Sequence, residues 1–315
     1  MKIGFFSEAG YNGKISRDIT NIRTDSAWSC ALNATHHCVF QLDNVNSNYD
    51  IGVCIITKER NRKELVKHNY PLIEKLKSIC NKVLVIQEST HWDWQEADFD
   101  IMVWYYNQLV LSDGVLCHND IDAVYFRGIT DKPSFVFPTL IIEDKIKVSD
   151  VKTDSVFVAG NWHTTYRGFD AWVIAQEFGL SMSGFKSGKF KVGEEQNGIN
   201  YLPWMDWVEF MFELSKHKYG VQCYQASAGQ FPLNCAYLGI PCIGYDDINT
   251  QRDLFPQLSV NRGDIVSARK LALKLKKDGE FYSECSLKAI DNYNNMYKEN
   301  IFLKKWENIV KELNV

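Results

Sequence analysis

The chain has 315 residues, 45% of them hydrophobic, so it can bury a sizeable core and is long enough for two domains of ordinary size. Its net charge of -4 argues against a partner held mainly by positive charge, such as nucleic acid or an anionic membrane, although a local basic groove remains compatible with it. No run approaches the ~20 apolar residues of a membrane span, and the opening MKIGFF lacks a signal-peptide pattern.

Short apolar runs alternate with helical patterns in the first half of the chain. The predicted strands are residues 2–7, 49–57, 82–88, 114–119 and 134–138, and the predicted helices are residues 27–35, 71–80 and 101–113. Apolar strands separated by helices indicate a parallel sheet that is covered on both faces.

The same pattern restarts after the polar, charged segment 141–154 (IIEDKIKVSDVKTD). The predicted strands are residues 154–161, 219–224 and 241–245, the predicted helices are residues 169–179, 202–218 and 232–239, and the pattern is helical again from Ser267. The sequence therefore predicts two successive α/β domains with a linker near residues 145–153.

The nine cysteines are scattered, without a CxxC pair and without a Cys/His spacing suited to zinc. Cys54, Cys223 and Cys242 lie in apolar, strand-like runs, where a free thiol serves as a small hydrophobic side chain. We therefore expect reduced cysteines and a cytoplasmic location.

Ligands of open parallel sheets bind beyond the carboxyl ends of the strands, so the residues that follow each strand are the candidates. The first strand leads into SEAGYNGK, in which Gly10 and Gly13 would let the backbone approach a sugar or an anion; a plain surface loop is an equal alternative. This spacing fits neither GxGxxG nor the Walker pattern. Further on, Thr24 and Asp25 are placed to cap the next helix, and a catalytic or acceptor-binding role for Arg23 or Asp25 is the alternative.

The strand 82–88 is followed by QESTHWDWQ, which holds a carboxylate, an imidazole and two indoles. Glu88 and His91 are of the residue types that serve as a general base, and the faces of Trp92 and Trp94 suit a sugar or a nucleobase. The alternative is that Glu88 is solvated and that the two indoles pack in the core.

The predicted second domain offers an anion site in GNWHTTYRGFD. Gly160 and Asn161 form a turn before a helix N-terminus, and Arg167 adds a guanidinium, so that all three features can act on one phosphate. Surface pairing of Arg167 with Asp170 is the alternative.

A second loop of this domain, QASAGQFPLN, leads into another helix. Ala228, Gly229 and Gln230 would allow close backbone approach, and Asn234, expected in the first helical turn, could reach a ribose hydroxyl. No Asp-x-Asp motif follows a predicted ligand-binding strand, so we expect a metal-free mechanism without a required cofactor.

Over residues 154–260 the sequence resembles the GT-B class of glycosyltransferases. In that class a helix with a Glu, then an Ala and a Gly-x-Pro entry to a strand, grips the donor ribose; PLNCAYLGIPCIG keeps Ala236, Gly239 and Pro241 and has Asn234 in the Glu position. Asn retains an acceptor oxygen but loses the charge, so ribose binding should be weaker or differently arranged.

The whole chain is similar to glycosyltransferases of tailed bacteriophages, through MKIGFFSEAG, RTDSAW, WYYN and NCAYLGIPCIGY. A weaker similarity links it to the T-even phage DNA β-glucosyltransferases, whose catalytic Asp follows a strand of the first domain. By position the corresponding residue is Glu88, one methylene longer, and Asp25 is the reserve.

The resemblance implies two Rossmann-like domains that face each other across a cleft. The implied acceptor domain is 1–148, the nucleotide-sugar domain is 149–295, and residues 296–315 form a helix that returns to the first domain. The implied reaction transfers a sugar from a nucleoside-diphosphate sugar, with UDP favoured, to an acceptor hydroxyl, for which a hydroxymethylated pyrimidine in phage DNA is the first choice. A glycan or small-molecule acceptor, an epimerase or phosphorylase-like enzyme, and a non-catalytic nucleotide-binding protein are the alternatives.

Overall fold

A computed structural model describes residues 1–56, 70–87, 90–91, 97–160, 168–185, 192–223 and 228–314. The chain divides into two compact units. Unit 1 comprises Met1–Ile19, Arg23–Ile142 and Glu299–Val315, and unit 2 comprises Thr20–Ile22 and Glu143–Lys298.

The strands and helices are numbered here in chain order. The strands are β1 (Ile3–Ser7), β2 (Gly13–Lys14), β3 (Thr35–Cys38), β4 (Tyr49–Ile55), β5 (Cys80–Gln87), β6 (Gly114–Cys117), β7 (Ser134–Val136), β8 (Thr153–Ala159), β9 (Ser181–Phe185), β10 (Ile199–Leu202), β11 (His217–Gln222), β12 (Cys242–Tyr245) and β13 (Ser259–Val260). The helices are α1 (Asp25–Ala31), α2 (Leu72–Lys77), α3 (Phe99–Leu111), α4 (Asp120–Thr130), α5 (Gly168–Gln176), α6 (Trp207–Ser215), α7 (Gln230–Tyr237), α8 (Asn249–Leu254), α9 (Ile265–Lys277), α10 (Gly279–Met296) and α11 (Glu299–Glu312). Short 3-10 turns occupy Val39–Asn44, Glu143–Lys145, Glu194–Gln196 and Pro256–Leu258.

Unit 1 is built on a seven-stranded sheet in the order β2-β3-β1-β4-β5-β6-β7. All neighbours are parallel except β2, which pairs antiparallel with β3. Every residue of β1 and β6 is buried, as expected for strands with helices on both faces. Phe6, Cys54, Val85 and Val115 bring four neighbouring strands into one core cluster.

The C-terminal helix α11 belongs to unit 1. Its Phe302 and Trp306 pack against Phe137, with ring centroids 4.4 and 5.7 Å apart. At the start of the helix, Glu299 accepts two hydrogen bonds of 2.8 Å from the guanidinium of Arg17. A bidentate pair of this kind fixes the orientation of both side chains.

Unit 2 contains a six-stranded, fully parallel sheet in the order β10-β9-β8-β11-β12-β13. Counted along the chain, this is the order 3-2-1-4-5-6 of the dinucleotide-binding Rossmann folds. Gly184 and Gly244 lie where a Cβ atom would come within 3 Å of a carbonyl oxygen of the neighbouring strand.

Several elements differ from the sequence-based predictions. The predicted helix 27–35 ends at Ala31, because Asn33 has a φ of 48° and the chain then enters β3, whose THHC sequence lacks an apolar run. The predicted helix 202–218 is shortened, since Leu202 ends β10 and His217 begins β11. Strands β9 and β10 and the six-residue helix α8 carry too little apolar periodicity to be predicted. Helix α4, which is amphipathic, is also absent from the predicted elements.

All nine cysteines are free; Cys30 and Cys38 are half-buried and the others are buried. Within the described residues, no helix is both long and apolar enough to cross a membrane.

Candidate active site

In unit 2 the strand order reverses between β8 and β11, and the crevice beyond their carboxyl ends is where Rossmann folds bind ligands. Gly160 follows β8 with a φ of 105°, a conformation that an L side chain rarely adopts. Ala228 and Gly229 precede α7 on the β11 side. The predicted donor glycines therefore lie on both sides of the reversal.

Gly229 is fixed by its surroundings. It has a φ of 70° at the N-terminus of α7, and a Cβ atom there would collide with the side chain of Thr250, which donates a hydrogen bond of 2.9 Å to the Gly229 carbonyl. The first N–H groups of a helix have no partner within the helix, so this end of α7 is suited to an anion.

Asn234 lies in the second turn of α7, not in the first turn as predicted. Only 2% of it is exposed, and its Oδ1 accepts a hydrogen bond of 2.8 Å from Nε2 of Gln230. The half-buried Gln230, at the start of the helix, is the better placed of the two to meet a ligand. Asn234 orients the Gln230 side-chain amide.

Two predicted donor ligands, Asn161 and Arg167, lie outside the described residues. Asp170, the alternative partner proposed for Arg167, accepts a hydrogen bond of 2.8 Å from the buried Tyr245 hydroxyl at the end of β12. Beyond β12, burial raises the pKa of Asp247, while its ion pair with Arg262 acts in the opposite direction.

In unit 1 the strand order reverses between β1 and β4, and a hydrogen-bonded cluster lies beyond β1. The Oγ atom of Ser7 is 2.9 Å from Oδ2 of Asp25 and 2.9 Å from Nε2 of His36. It also accepts a hydrogen bond from the Ala9 N–H, and Nδ1 of His36 is 2.8 Å from the Tyr11 carbonyl. Asp25 was predicted from the sequence; Ser7 and His36 were not.

The backbone at the start of α1 is strained. Thr24, the residue before the helix, has φ 48° and ψ -116°, which costs a β-branched residue energy. The prediction that Thr24 caps the helix is wrong, because its side chain makes no capping hydrogen bond. Asp25 instead binds Ser7 and the N–H of Ser26. Strain of this kind is typical of functional sites.

A second polar cluster holds His91. Its Nδ1 lies 2.8 Å from Oδ1 of Asp122, which also accepts from the His91 backbone N–H, while Nδ2 of Asn119 donates to the other carboxylate oxygen. Asp122 is only 2% exposed, and the His91 ring stacks on Tyr125. A buried carboxylate that orients an imidazole is an arrangement suited to general-base chemistry.

His118 follows β6 and is buried. Its ring packs against Trp28 with centroids 5.1 Å apart, and within the described part of the chain neither ring nitrogen has a hydrogen-bond partner of good geometry. Burial lowers the pKa of His118 to about 4, so the imidazole is neutral at pH 7.

The remaining predicted residues of unit 1 divide into two groups. Glu88, Trp92 and Trp94 lie outside the described residues. Gly10 and Arg23 are exposed, and Gly13 has a φ of 99° in β2.

Trp104 and Tyr105, the aromatic residues of the WYYN segment, are not placed to stack on a substrate. Both are buried in the core, where their polar atoms bind the Tyr70 carbonyl and the side chain of Gln87.

No group of three or more His, Cys, Asp or Glu side chains in the described part of the chain could hold a metal ion.

Two Rossmann-like units of parallel sheet in one chain are the architecture of the GT-B glycosyltransferases, and the predicted fold class is confirmed. The fold matches a TarM variant from S. aureus in complex with fondaparinux, alpha-GlcNAc-glycerol and UDP, with a TM-score of 0.66, 13% identity and coverage of 86% of this chain. This chain spans only 57% of that protein.

The fold also matches an alpha-glucosyltransferase in complex with UDP-glucose and DNA containing an abasic site, with a TM-score of 0.66, 12% identity and coverage of 98% of both chains. A further structure of an alpha-glucosyltransferase, with UDP and a 13-mer DNA containing a HMU base, matches with a TM-score of 0.64, 13% identity and coverage of 99% of both chains. No protein-family model and no curated protein matches the sequence.

Proposed function

We propose that the protein is a glycosyltransferase that moves a sugar from a UDP-sugar to an acceptor hydroxyl. The observation that carries this proposal is the strand reversal of unit 2, with Gly160 on one side and Gly229 at a helix N-terminus on the other. Glycines at these positions admit a diphosphate to the backbone, and UDP is the nucleotide bound in the structural neighbours.

The proposed donor site consists of loops and helix ends of unit 2. Its members are Gly160, Asn161, Arg167, Ala228, Gly229, Gln230 and Asn234. Departure of UDP builds negative charge on the diphosphate, which the Arg167 guanidinium and the helix N-termini would stabilise without a metal ion. Asn234 acts by holding the Gln230 amide in place.

The proposed acceptor site belongs to unit 1. Asp25 is our first candidate for the base that removes the acceptor proton, because a strained backbone and two hydrogen bonds fix its carboxylate. Glu88 and His91 are the competing candidates. Gly10, Gly13, Arg23, Trp92 and Trp94 would contact the acceptor.

For the acceptor, we propose a hydroxymethylated pyrimidine in DNA, modified in the cytoplasm of a phage-infected host. Coverage supports this choice: the chain matches the DNA-bound alpha-glucosyltransferase over 98% of both chains, but only 57% of TarM. The net charge of -4 opposes it, since phosphate contacts supply much of the affinity for DNA. A glycan or small-molecule acceptor is the second candidate, favoured by the alpha-GlcNAc-glycerol bound to TarM.

Sugar transfer can be tested directly. The protein would be incubated with pooled nucleotide sugars and hydroxymethylcytosine DNA, and the digested nucleosides weighed by mass spectrometry, with a glycan acceptor in parallel. A hexose adduct on the nucleoside supports both the reaction and the acceptor. An adduct only on the glycan rejects DNA, and no adduct together with no release of UDP rejects the enzyme.

A further inference from the structure

The cluster beyond β1 forms a continuous path of hydrogen bonds from Asp25 into the core. The path runs from Oδ2 of Asp25 to Oγ of Ser7, then to Nε2 of His36, and from Nδ1 of His36 to the Tyr11 carbonyl, with steps of 2.9, 2.9 and 2.8 Å. Ser7 and His36 are buried, whereas Asp25 is partly exposed. Of the three side chains in the path, only that of Asp25 is exposed enough to meet a substrate.

The path has one hydrogen atom fewer than it has hydrogen-bonding contacts. A carbonyl oxygen only accepts, so Nδ1 of His36 carries a hydrogen atom. With the imidazole neutral and the carboxylate ionised, the single Ser7 hydroxyl hydrogen faces two acceptors, Nε2 of His36 and Oδ2 of Asp25. One additional proton would give every contact its own hydrogen atom.

At pH 7, before any reaction, this additional proton is absent from the path. Burial lowers the pKa of His36, while the Tyr11 carbonyl and the Asp25 charge act more weakly in the opposite direction. The imidazole is therefore neutral at pH 7, with Nε2 ready to accept. Phe5 stacks on the ring at 5.8 Å and helps to hold its plane.

We propose that Ser7 and His36 are positioning residues that relay inward the proton which Asp25 takes from the acceptor hydroxyl. The inference rests on the proposed function. As the acceptor oxygen bonds to the sugar carbon, its proton passes to Asp25, the Asp25 proton passes to Ser7 Oγ, and the Ser7 hydrogen passes to His36 Nε2. One proton enters, Asp25 ends ionised and His36 ends as an imidazolium, while UDP leaves with the electron pair of the broken bond.

The relay predicts that more than one proton transfer takes place in the chemical step. Single-turnover sugar transfer would be measured in mixtures of H₂O and D₂O for the wild type, Ser7→Ala, Ser7→Thr and the matched control Ser29→Ala, a buried serine of α1 outside the cluster. For the wild type and the control, we expect the rate of sugar transfer to depend on the deuterium content of the solvent along a curve. Ser7→Ala should show a rate at least tenfold lower, with unchanged KM and a linear dependence. Ser7→Thr keeps the hydroxyl and should recover most of the rate.

A flat or linear dependence in the wild type, or wild-type turnover by Ser7→Ala, would overturn the relay. A loss confined to KM would also overturn it, because that result indicates a purely structural serine.

A second measurement does not depend on activity. Long-range ¹H–¹⁵N NMR spectra of the histidine-labelled protein should show His36 with a hydrogen on Nδ1 and a bare Nε2. The tautomer with hydrogen on Nε2 would overturn the relay even if no sugar transfer is found, whereas absence of transfer with the expected tautomer counts against the proposed function alone.

Discussion

The two sheets carry different chemistry at their carboxyl ends. In unit 1 the strands lead to titratable side chains held by hydrogen bonds or burial, among them Asp25, His36 and His118. In unit 2 the positions on either side of the strand reversal carry glycines with positive φ and an amide side chain, such as Gly229 and Gln230. Groups that can gain a proton suit a reacting hydroxyl, whereas open backbone suits a diphosphate. We therefore propose that unit 1 carries out the chemical step and that unit 2 binds the donor.

The largest expected effect is that of Asp25→Asn. Loss of a general base typically slows the chemical step by about 10²–10⁴-fold, so sugar transfer should fall in that range while UDP affinity stays at the wild-type value. Steady-state kinetics measures the rate of sugar transfer, and calorimetry on the same preparation measures the UDP affinity. Glu88→Gln is the matched comparison: an active Asp25→Asn beside an inactive Glu88→Gln would assign the base to Glu88.

Acid should destabilise the protein through His118. Because burial lowers its folded-state pKa from 6.5 to about 4, the unfolded chain binds the proton first, and stability is lost as the pH falls through this window. The loss from this residue is about 3 kcal/mol by pH 4. His36, His37 and His217 act in the same direction, since burial lowers the pKa of each.

Denaturant unfolding at pH 7.5, 6 and 5 would measure this slope. We expect His118→Leu to flatten it markedly and the control His217→Gln to flatten it less. Equal slopes in the wild type and His118→Leu would mean that the buried imidazole does not control acid stability.

In unit 2, Arg167→Ala should weaken UDP binding by about 1.5–3 kcal/mol, the range for a hydrogen bond to a charged group, with the melting temperature unchanged. Calorimetry with UDP provides the measurement. Unchanged affinity would remove Arg167 from the donor site and leave the helix N-termini as the diphosphate ligands.

The smallest effect concerns the Gln230–Asn234 pair. If Asn234 acts only by orienting Gln230, Asn234→Ala should weaken donor binding by about 0.5–1.5 kcal/mol, the net value of one hydrogen bond, and should have no further effect in a Gln230→Ala background. Additive losses in the double variant would show instead that Asn234 contacts the donor itself.

The sequence predicted most of the core of both sheets, because apolar strand runs and their helical partners are local patterns. Two kinds of feature could not be predicted from the sequence. Strands β3, β9 and β10 are short and partly exposed, so their hydrophobic pattern is weak. The partners of Asp25 and His91 are distant in sequence, since His36 lies in a strand that was missed and Asp122 lies on a helix that was missed.

The most direct measurement is calorimetric titration of UDP into the wild type, with ADP and GDP as controls and Gly229→Val as the matched variant. A valine at a φ of 70° that also collides with Thr250 should disturb the start of α7. We predict saturable binding of UDP to the wild type and at least tenfold weaker binding to Gly229→Val. No heat with any nucleoside diphosphate, or equal UDP affinity in both proteins, would contradict a UDP-sugar site in unit 2.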